Sequence, residues 1–304
     1  MSNDMLILER VFKNYGKVTA LSGLNLRVKE GEILGLVGPN GAGKTTTLKI
    51  LSALLKPDSG IVIVDDIDVQ TDPFNAKKLL GYLPDIPLLY ESFTLFDTLK
   101  MYARVWSLQF DKMTALRALD EYGLEPLWNR QVRTLSKGQK QRLSLICALL
   151  HKPRILLLDE PFAGLDIESR QFIRNKIEQL ANDAGKTIVV SSHDLADVEK
   201  LCTRIALIVK GRVAYYGTED EIRTKVLGKV FKIVLAKIPS NLEGLTNCTK
   251  EYSVAADTVT FTLGEGQSPN QVLKYFIARD CPIRAFEPLG LEEMLLEIIK
   301  REES

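Results

Sequence analysis

The clearest chemical signal in the chain is a glycine-rich segment, which reads Gly38, Pro39, Asn40, Gly41, Ala42, Gly43, Lys44, Thr45 and Thr46. It matches G-x-x-x-x-G-K-[ST] at every fixed position, and it follows an apolar run and precedes a helical sequence. In such a loop the backbone N–H groups point at phosphate oxygens, Lys44 bridges the β- and γ-phosphates, and the Thr45 hydroxyl ligates Mg²⁺. A glycine-rich turn without a ligand would not explain the Lys-Thr pair, so the segment predicts a nucleoside triphosphate site.

A second signal is a pair of carboxylates that follows the apolar run Ile155–Leu158. Asp159, at the end of this predicted strand, can hold Mg²⁺ directly or through water. Glu160 points the other way along the strand and could accept a proton from an attacking water molecule. The two residues could instead be N-caps of a following helix, but beside the phosphate loop we favour the metal and base roles.

The two histidines of the chain have different predicted roles. His193 ends the run TIVVSSHD, where it would be the third polar group at one edge of the sheet. That position favours a γ-phosphate sensor over a purely structural histidine. His151 lies beside Lys152 and Pro153 at the end of a helical sequence, and we expect it to interact with the helix dipole and to have no chemical role.

A third segment, TLSKGQKQRLSL, combines a helix start with an unfavourable distribution of charge. Ser136 and Gln139 form the S-x-x-Q pattern of a capping box, and Gly138 is a weak helix former. The helix macrodipole is positive at this end, yet three cations occupy its first turns: Lys137, Lys140 and Arg142. An anion bound at this helix end would explain the arrangement, although Lys140 and Arg142 could simply point to solvent.

The elements that must position these residues have the pattern of an α/β domain with a largely parallel sheet. Ile33–Val37, Ile155–Leu158 and Thr187–Val190 are short, apolar and non-alternating, which is typical of strands buried on both faces. Strand signals stop between about 85 and 150, where the periodicity predicts a helical insert. Two further runs, Ile205–Val209 and Arg212–Tyr216, predict a hairpin that closes the domain.

The last part of the chain predicts a second, smaller domain of the α+β class. A short charged helix, EDEIRTKVL, follows Gly217, and the runs KVFKIVLA and TVTFTL then suggest strands. The segments SPNQVLKYFIARD and GLEEMLLEIIKREES suggest helices. We therefore divide the chain into residues 1–220 and 221–304. The final amphipathic helix would pack within its own domain or, alternatively, form a dimer contact or regulatory surface.

Composition limits the classes of protein that this chain can belong to. Its 304 residues are 45% hydrophobic and 26% charged, with a net charge of +1, so no overall field attracts nucleic acid or an acidic membrane. The four cysteines are scattered, which argues against a zinc site and favours a reducing cytosol. No signal peptide or membrane-spanning run is present, so another polypeptide would do any spanning.

Taken together, these motifs resemble one family specifically, the ATP-binding-cassette (ABC) ATPases. LSKGQ is similar to the family signature LSGGQ, except that Lys137 occupies the third position. The resemblance covers about residues 4–220. It implies an α/β fold with a P-loop NTPase core and a helical subdomain at about 85–150, followed by a small C-terminal accessory domain.

The resemblance also implies a site that two subunits share. In this family the signature helix faces ATP held by the phosphate loop of a second subunit, so Ser136 and the Gly138 amide would bind the γ-phosphate, with Lys137 and Gln139 beside them. Tyr15 matches the aromatic residue that stacks on adenine, and Asp166 in the D-loop, Ala163–Asp166, would reach across the dimer. Glycine would permit the close approach of the phosphate to the helix.

One position departs from the family pattern. Many members carry glutamine where this chain has Asp85, which cannot donate through an amide but could coordinate Mg²⁺ or water. The segments GPNGAGKTTTLKIL, YLPD and PLGLEEMLLEII resemble the separate ATPase subunits of prokaryotic ABC-2-type exporters. That likeness implies ATP and Mg²⁺ as cofactors, a homo- or heterodimer, a separate membrane permease, and a location on the cytoplasmic face of the plasma membrane.

Two rival functions are open to a chain with these motifs. A soluble ABC protein that acts on nucleic acid or ribosomes would typically have two cassettes, long coiled coils or zinc motifs, and none is present in this sequence. A small-molecule P-loop kinase would not need LSKGQ. We therefore expect an ATPase that drives transport, with no nucleic-acid partner.

Overall fold

The computed structural model describes residues 4–183, 185–222, 230–239 and 241–288. It divides the chain into two compact units, Met1–Tyr216 and Gly217–Ser304. The sequence-based boundary at residue 220 falls inside a short helix that begins at Glu219.

The first unit combines strands and helices along its whole length. In chain order they are β1 (Asp4–Tyr15), β2 (Val18–Lys29), β3 (Ile33–Val37), α1 (Lys44–Leu51), β4 (Ser59–Val64), β5 (Ile67–Asp68), α2 (Pro73–Leu79), β6 (Leu80–Leu83), α3 (Leu95–Val105), α4 (Lys112–Asp120), α5 (Lys137–Leu149), β7 (Ile155–Leu158), α6 (Ile167–Asn182), β8 (Thr187–Ser192), α7 (Leu195–Glu199), β9 (Arg204–Val209) and β10 (Arg212–Gly217). Short 3₁₀ turns at Glu125–Leu127 and Val132–Thr134 lie between α4 and α5.

A six-stranded sheet in the order β10-β9-β3-β8-β7-β6 forms the centre of this unit. Strand β3 pairs in parallel with β8 and β9, and β7 pairs in parallel with β6 and β8. Every residue of β3, β7 and β8 is buried, which explains why these strands read as continuous apolar runs. The predicted α/β class and largely parallel sheet are confirmed, and carboxyl ends of neighbouring strands meet at one edge.

A second sheet, which the sequence analysis did not predict, has the order β2-β1-β4-β5 and is antiparallel. Buried and exposed residues alternate along the second half of β2, as expected when only one face of a sheet is covered. Strand β1 contains several register shifts, and Arg10 within it has a φ of 49°. The buried face of this antiparallel sheet packs with α1 and one side of the central sheet, and together they form a first apolar core cluster.

The predicted helical insert is confirmed, because α3, α4 and α5 occupy this stretch. Their buried residues join β7, β8 and α6 in a second core cluster. Helix α3 begins at the cap Thr94, whose side chain accepts the backbone N–H of Asp97, and α4 begins in the same way at Asp111. No helix of the described residues has the length and apolar character needed to span a bilayer.

The second unit begins with α8 (Glu219–Ile222) and has a four-stranded sheet in the order β12-β13-β11-β14. The strands are β11 (Val230–Leu235), β12 (Glu251–Ala255), β13 (Thr258–Thr262) and β14 (Ile283–Pro288), and α9 (Pro269–Ile277) lies between β13 and β14 in the chain. Strands β11 and β13 and helix α9 match the predicted segments, whereas β12 and β14 were not predicted. The predicted final helix lies outside the described residues.

Candidate functional site

The glycine-rich segment forms the loop between β3 and α1. Gly43 caps α1 with a φ of 111°, and a Cβ there would lie 2.7 Å from the carbonyl oxygen of Ala20, so only glycine fits. Lys44 is the first residue of α1 and its side chain is 6% exposed. Its Nζ donates to the carbonyl oxygens of Gly38 at 2.7 Å and Pro39 at 3.3 Å, so the ammonium group lies over the inside of the loop.

Asp159 follows β7 and is surrounded by hydroxyl groups. Its Oδ1 accepts from Thr45 Oγ1 at 3.1 Å and from Ser191 Oγ at 2.7 Å, while Oδ2 accepts from the Tyr82 hydroxyl at 3.4 Å. The carboxylate is 1% exposed, and none of the ion pairs between described residues involves it. Burial, then the nearby Asp159 charge, raises the pKa of Tyr82, so its hydroxyl stays protonated and able to donate.

Glu160 is the next residue, yet its carboxylate has a different environment. Its Oε1 lies 3.5 Å from Lys44 Nζ and its Oε2 lies 2.8 Å from His193 Nδ1. An ionised carboxylate only accepts hydrogen bonds, so this contact requires a proton on Nδ1 of His193. Glu160 and His193 follow the ends of β7 and β8, and Lys44 begins the helix after the loop that follows β3; these three strands are neighbours in the sheet.

A cavity of about 420 Å³ connects these groups with most of the other predicted nucleotide-binding residues. Tyr15 is 49% exposed on its wall, and Asp85 faces the same space from the segment after β6. The predicted residues that line it are Tyr15, Asn40, Gly41, Ala42, Gly43, Lys44, Thr45, Thr46, Asp85, Glu160 and His193. The sequence analysis named these residues from five separate segments, and the fold places them around one cavity.

The donors beside the loop fit a magnesium ion. The Thr45 hydroxyl and the Asp159 carboxylate are hard oxygen ligands 3.1 Å apart, and no cation of the described residues forms an ion pair with Asp159. Among the described residues there is no group of three His, Cys, Asp or Glu side chains that could hold a metal alone. Mg²⁺ commonly needs only one or two carboxylates together with substrate phosphates, so the donor set suits a metal that arrives with a nucleotide.

The signature segment does not line this cavity, and it forms a second cluster. Ser136 caps α5 by accepting the backbone N–H of Gln139, and Gln139 Oε1 accepts the N–H of Ser136 in return, so the capping box is confirmed. A Cβ on Gly138 would lie 2.2 Å from Ser169 Oγ on α6. The glycine therefore permits close packing of α5 on α6 within the chain, and the expected reason, approach of a phosphate, is not needed to explain it.

The three cations at the start of α5 contact different groups. Lys140 pairs with Glu91 at 3.2 Å, and the Arg142 guanidinium lies 4.0 Å from the ring centre of Phe172, so neither simply points to solvent. Lys137 is exposed and has no acidic partner within the described parts of the chain, and its Nζ lies close to Gly164 in the D-loop. Asp166 is occupied locally, since it caps α6 and accepts from the N–H and hydroxyl of Ser169.

His151 does not have the predicted dipole role. Its Nε2 lies 2.9 Å from the carbonyl oxygen of Leu80 on β6, and its ring stacks on Trp106 with centres 4.0 Å apart. Burial lowers its pKa, so the ring favours the neutral form that a dipole partner would not have. The prediction was wrong because the sequence did not show that β6 and α3 cover this helix end.

Sequence reasoning missed two residues of the site, Ser191 and Tyr82. Ser191 was recognised only as part of the strand TIVVSSHD, and Tyr82 only as part of the segment before Asp85. A polar residue inside an otherwise apolar buried strand is a usable signal, because a buried hydroxyl needs a partner. Ser191 gives that signal, whereas Tyr82 gives none.

The chain is similar in sequence and fold to several known proteins. A sequence model of the family described as ABC transporter matches residues 21–163. The linearmycin resistance ATP-binding protein LnrL of Bacillus subtilis (strain 168) is 35% identical over 226 residues, which cover 74% of this chain and 72% of LnrL. The Nod factor export ATP-binding protein I of Rhizobium etli is 30% identical over 296 residues, which cover 96% of this chain and 92% of that protein.

Importers are also among the relatives. The spermidine/putrescine import ATP-binding protein PotA of Mesoplasma florum is 34% identical over 224 residues, and the match covers 73% of this chain but 64% of PotA. A solved dimeric structure of a post-hydrolysis ATP-binding cassette with bound ADP and Pi aligns with a TM-score of 0.65 and 29% identity, over 70% of this chain and 98% of the other.

A phosphate loop at the carboxyl edge of a parallel sheet, next to an acidic strand end, defines the class of P-loop nucleoside triphosphatases. Within that class, the chain belongs to the ATP-binding proteins of ABC transporters, and it is an ATP-binding ATPase of that family. The predicted family and activity are confirmed, and the rival function on nucleic acid or ribosomes is not favoured.

Proposed function

We propose that two copies of this subunit, or this subunit and a homologue, enclose ATP between them and hydrolyse it to drive export through a separate membrane permease. The observation that carries the chemical part is the position of the Glu160 carboxylate, which lies between Lys44 and His193 above the phosphate loop. A general base must be within reach of both the phosphate and a water molecule, and this carboxylate borders the cavity where both would meet.

Each residue would have a separate part in the reaction. The loop amides and Lys44 bind the triphosphate, and Tyr15 stacks on the adenine base. Glu160 orients and deprotonates the attacking water. His193, held by Glu160 through Nδ1, would donate from Nε2 to the γ-phosphate, which requires a proton on each ring nitrogen. Thr45 and Asp159 would hold Mg²⁺, with Asp85 as a further ligand or a water partner. When bound, the ion would supply positive charge that offsets the negative charge developing during transfer.

The signature cluster supports the dimer part of the proposal. The capping box uses the lone pairs of Ser136 and leaves its hydroxyl hydrogen free, at a helix end where the dipole is positive. Ser136, Lys137 and the Gly138 amide would contact the γ-phosphate of a nucleotide bound by the other subunit, and Asp166 would lie at the same interface. The solved dimeric cassette is a precedent for two such chains in one assembly.

The export direction and the permease are inferred from relatives and from a surface. The Nod factor export protein matches almost the whole chain, including the second unit. A cavity of about 240 Å³ between α5, β6 and α3 is lined in part by the exposed Leu54 and by Trp106, which follows the exposed Val105. The Tyr102 hydroxyl on its wall donates to the carbonyl oxygen of Leu88, in a segment after β6 whose exposed apolar residues are Ile86, Leu88 and Tyr90. We assign this surface to the permease, which would place the subunit on the cytoplasmic face of the plasma membrane.

Replacing Glu160 by glutamine tests the catalytic and dimer roles together. Removing a positioned base costs roughly 10²–10⁴-fold in rate. We therefore expect Glu160→Gln to bind ATP, to lose steady-state phosphate release by that factor, and to accumulate dimer with MgATP in light scattering after gel filtration. Glu30→Gln is the control, because it changes the same group where it pairs with Arg154, outside the cavity.

Two results would contradict separate parts of the proposal. An unchanged ATPase rate in Glu160→Gln would remove this residue from the role of base. A hydrolysis-deficient variant that stays monomeric with MgATP at every concentration would exclude the shared nucleotide.

A further inference from the structure

Ser191 is a fully buried serine near the end of β8 that joins the two carboxylate residues of the site. Its Oγ donates to Asp159 Oδ1 at 2.7 Å and accepts the backbone N–H of Glu160 at 2.9 Å. Asp159 and Glu160 are consecutive in the chain, but this hydroxyl contacts both from the neighbouring strand.

The directions of these two hydrogen bonds are fixed by chemistry. A backbone N–H can only donate and an ionised carboxylate can only accept, so the single hydroxyl hydrogen of Ser191 must point at Asp159. Thr45 donates to the same oxygen at 3.1 Å, so Oδ1 of Asp159 is held by two donors, one from β8 and one from the first turn of α1. The hydroxyl of Ser191 therefore has no remaining hydrogen for any other group.

The backbone of Glu160 adds a second, independent observation. Its φ is 47°, a left-handed conformation that is uncommon for residues other than glycine. Such a conformation costs on the order of 1–3 kcal/mol and persists only where the surroundings hold it. The contact from Glu160 N–H to Ser191 is one of the interactions that hold it, and the resulting backbone turn directs the Glu160 carboxylate towards Lys44 and His193.

We propose that Ser191 is a positioning residue that sets the Asp159 carboxylate and the Glu160 backbone in a fixed relation to each other. This inference rests on the proposed roles of Asp159 and Glu160. Through Asp159, Ser191 would tune the affinity for a metal nucleotide, and through Glu160 it would tune the hydrolytic step. Partners of this kind behind a metal ligand typically change affinity or activity by roughly 10–100-fold when removed.

The same strand offers a matched control for a purely structural hydroxyl. Thr187 at the other end of β8 is also buried, and its Oγ1 accepts the backbone N–H of Gly31 at 3.0 Å. Thr187→Val removes a hydroxyl from the same strand at nearly constant volume, far along the strand from Asp159. Both Ser191→Ala and Thr187→Val should lower the melting temperature, because each removes the hydrogen bond that a backbone N–H donates to a buried hydroxyl.

The decisive readouts are those that structural damage alone would not change. We expect Ser191→Ala to lower kcat by roughly 10–100-fold, with a much smaller change in KM for ATP. ADP is not hydrolysed, so its affinity can be measured by calorimetric titration with Mg²⁺ and with EDTA. In Ser191→Ala, the increase in ADP affinity that Mg²⁺ causes should be about tenfold smaller than in the unmodified protein, while the ADP affinity in EDTA should be unchanged. Thr187→Val should leave kcat and both ADP affinities within about twofold of the unmodified protein.

Two further variants keep the inference testable if Ser191→Ala folds poorly. Ser191→Thr keeps the hydroxyl and should restore both readouts, whereas Ser191→Cys is similar in size but donates weakly and should resemble alanine. In a Glu160→Gln background, Ser191→Ala should reduce the residual rate by less than it does alone, because residues that act as a unit are not additive.

The inference is overturned if Ser191→Ala or Ser191→Cys behaves like Thr187→Val in both kcat and the magnesium effect on ADP. That result would leave the proposed function intact provided that Glu160→Gln still loses its activity. If Glu160→Gln is unaffected, the proposed function itself fails, so the two failures are distinguishable.

Discussion

Asp159 and Glu160 show how two identical functional groups acquire different environments one residue apart. Asp159 meets three hydroxyl groups and no cation, whereas Glu160 meets an ammonium group and an imidazole. The change from an extended strand to a left-handed turn at Glu160 separates the two carboxylates. One is therefore suited to a metal ion and the other to a water molecule near phosphate.

At the residue scale, His151 gives a prediction about pH. Burial lowers its folded-state pKa below the usual value of about 6.5, so between these two values the unfolded chain binds more protons than the folded chain. The resulting stability is fully present above about pH 6.5 and is lost as pH falls through the folded-state pKa. We expect the melting temperature to fall between pH 7.5 and 5.5, and to fall less in His151→Gln.

A second variant, His151→Phe, keeps an aromatic ring beside Trp106 without a titratable nitrogen, so it should show the same smaller decrease. His151→Gln also loses the stack on Trp106, so it should be less stable at pH 7.5 by about 1 kcal/mol. Equal pH dependence in the unmodified protein and His151→Gln would show that this ring does not titrate as its burial implies.

Residues were predictable where a local pattern carried the chemistry. Lys44, Thr45, Asp159 and Glu160 belong to continuous motifs, so their types and spacing were sufficient. Ser191 and Tyr82 were not predictable as partners of Asp159, because they reach it from neighbouring strands of the sheet. Register between strands that are far apart in sequence is set by packing, which no single segment contains.

At the element scale, the close packing of α5 on α6 depends on the absence of a Cβ at Gly138. In most helices Gly→Ala stabilises by about 1 kcal/mol. At Gly138 the new Cβ would lie 2.2 Å from Ser169 Oγ, and overpacking of this kind costs about 1–3 kcal/mol. We therefore expect Gly138→Ala to destabilise the protein in urea denaturation, with the sign reversed from the usual effect.

Ser144→Ala is a suitable comparison on the same helix, since the buried Ser144 hydroxyl has no hydrogen-bond partner. It should be neutral or stabilising. Gly138→Ala combined with Ser169→Gly should recover part of the loss, because the second change removes the atoms that the new methyl group meets. A stable Gly138→Ala variant would mean that α5 and α6 separate without cost.

Like the site residues, the helices and strands could be predicted only where a local sequence pattern identifies them. Buried parallel strands and amphipathic helices were predicted, because apolar runs and helical periodicity identify them. The antiparallel sheet was missed because bulges interrupt the alternation along β1. Strand β12 was missed because all of its residues are exposed, so its existence depends on pairing with β13 and not on burial.

At the scale of the whole molecule, each of the two units has its own apolar core. The exposed apolar surface that we assign to the permease belongs to the first unit. Fully burying a Leu or Val side chain contributes about 1.5–3 kcal/mol relative to leaving it exposed, and about 1.4 kcal/mol is a factor of ten in affinity.

We therefore expect Leu54→Ser combined with Val105→Ser to weaken co-purification with a multi-helix membrane protein by at least about tenfold. The isolated subunit should keep its basal ATPase rate. Ile61→Ser is the control, because Ile61 is 49% exposed on the antiparallel sheet and does not line this cavity. Recovery of ribosomes or nucleic acid in place of a membrane protein would contradict the assignment.

The strand order β9-β3-β8-β7 also bears on how the subunit is made. Ribosomes add about 5–20 residues per second, so Lys44 is synthesised many seconds before Asp159 and His193. During that interval β3 has neither of its parallel neighbours, β8 and β9, since both come from later parts of the chain. The phosphate loop of the nascent chain therefore lacks the strands that hold it in place for a nucleotide until β8 and β9 have been synthesised. Until then the apolar strand β3 is unpaired and prone to aggregation.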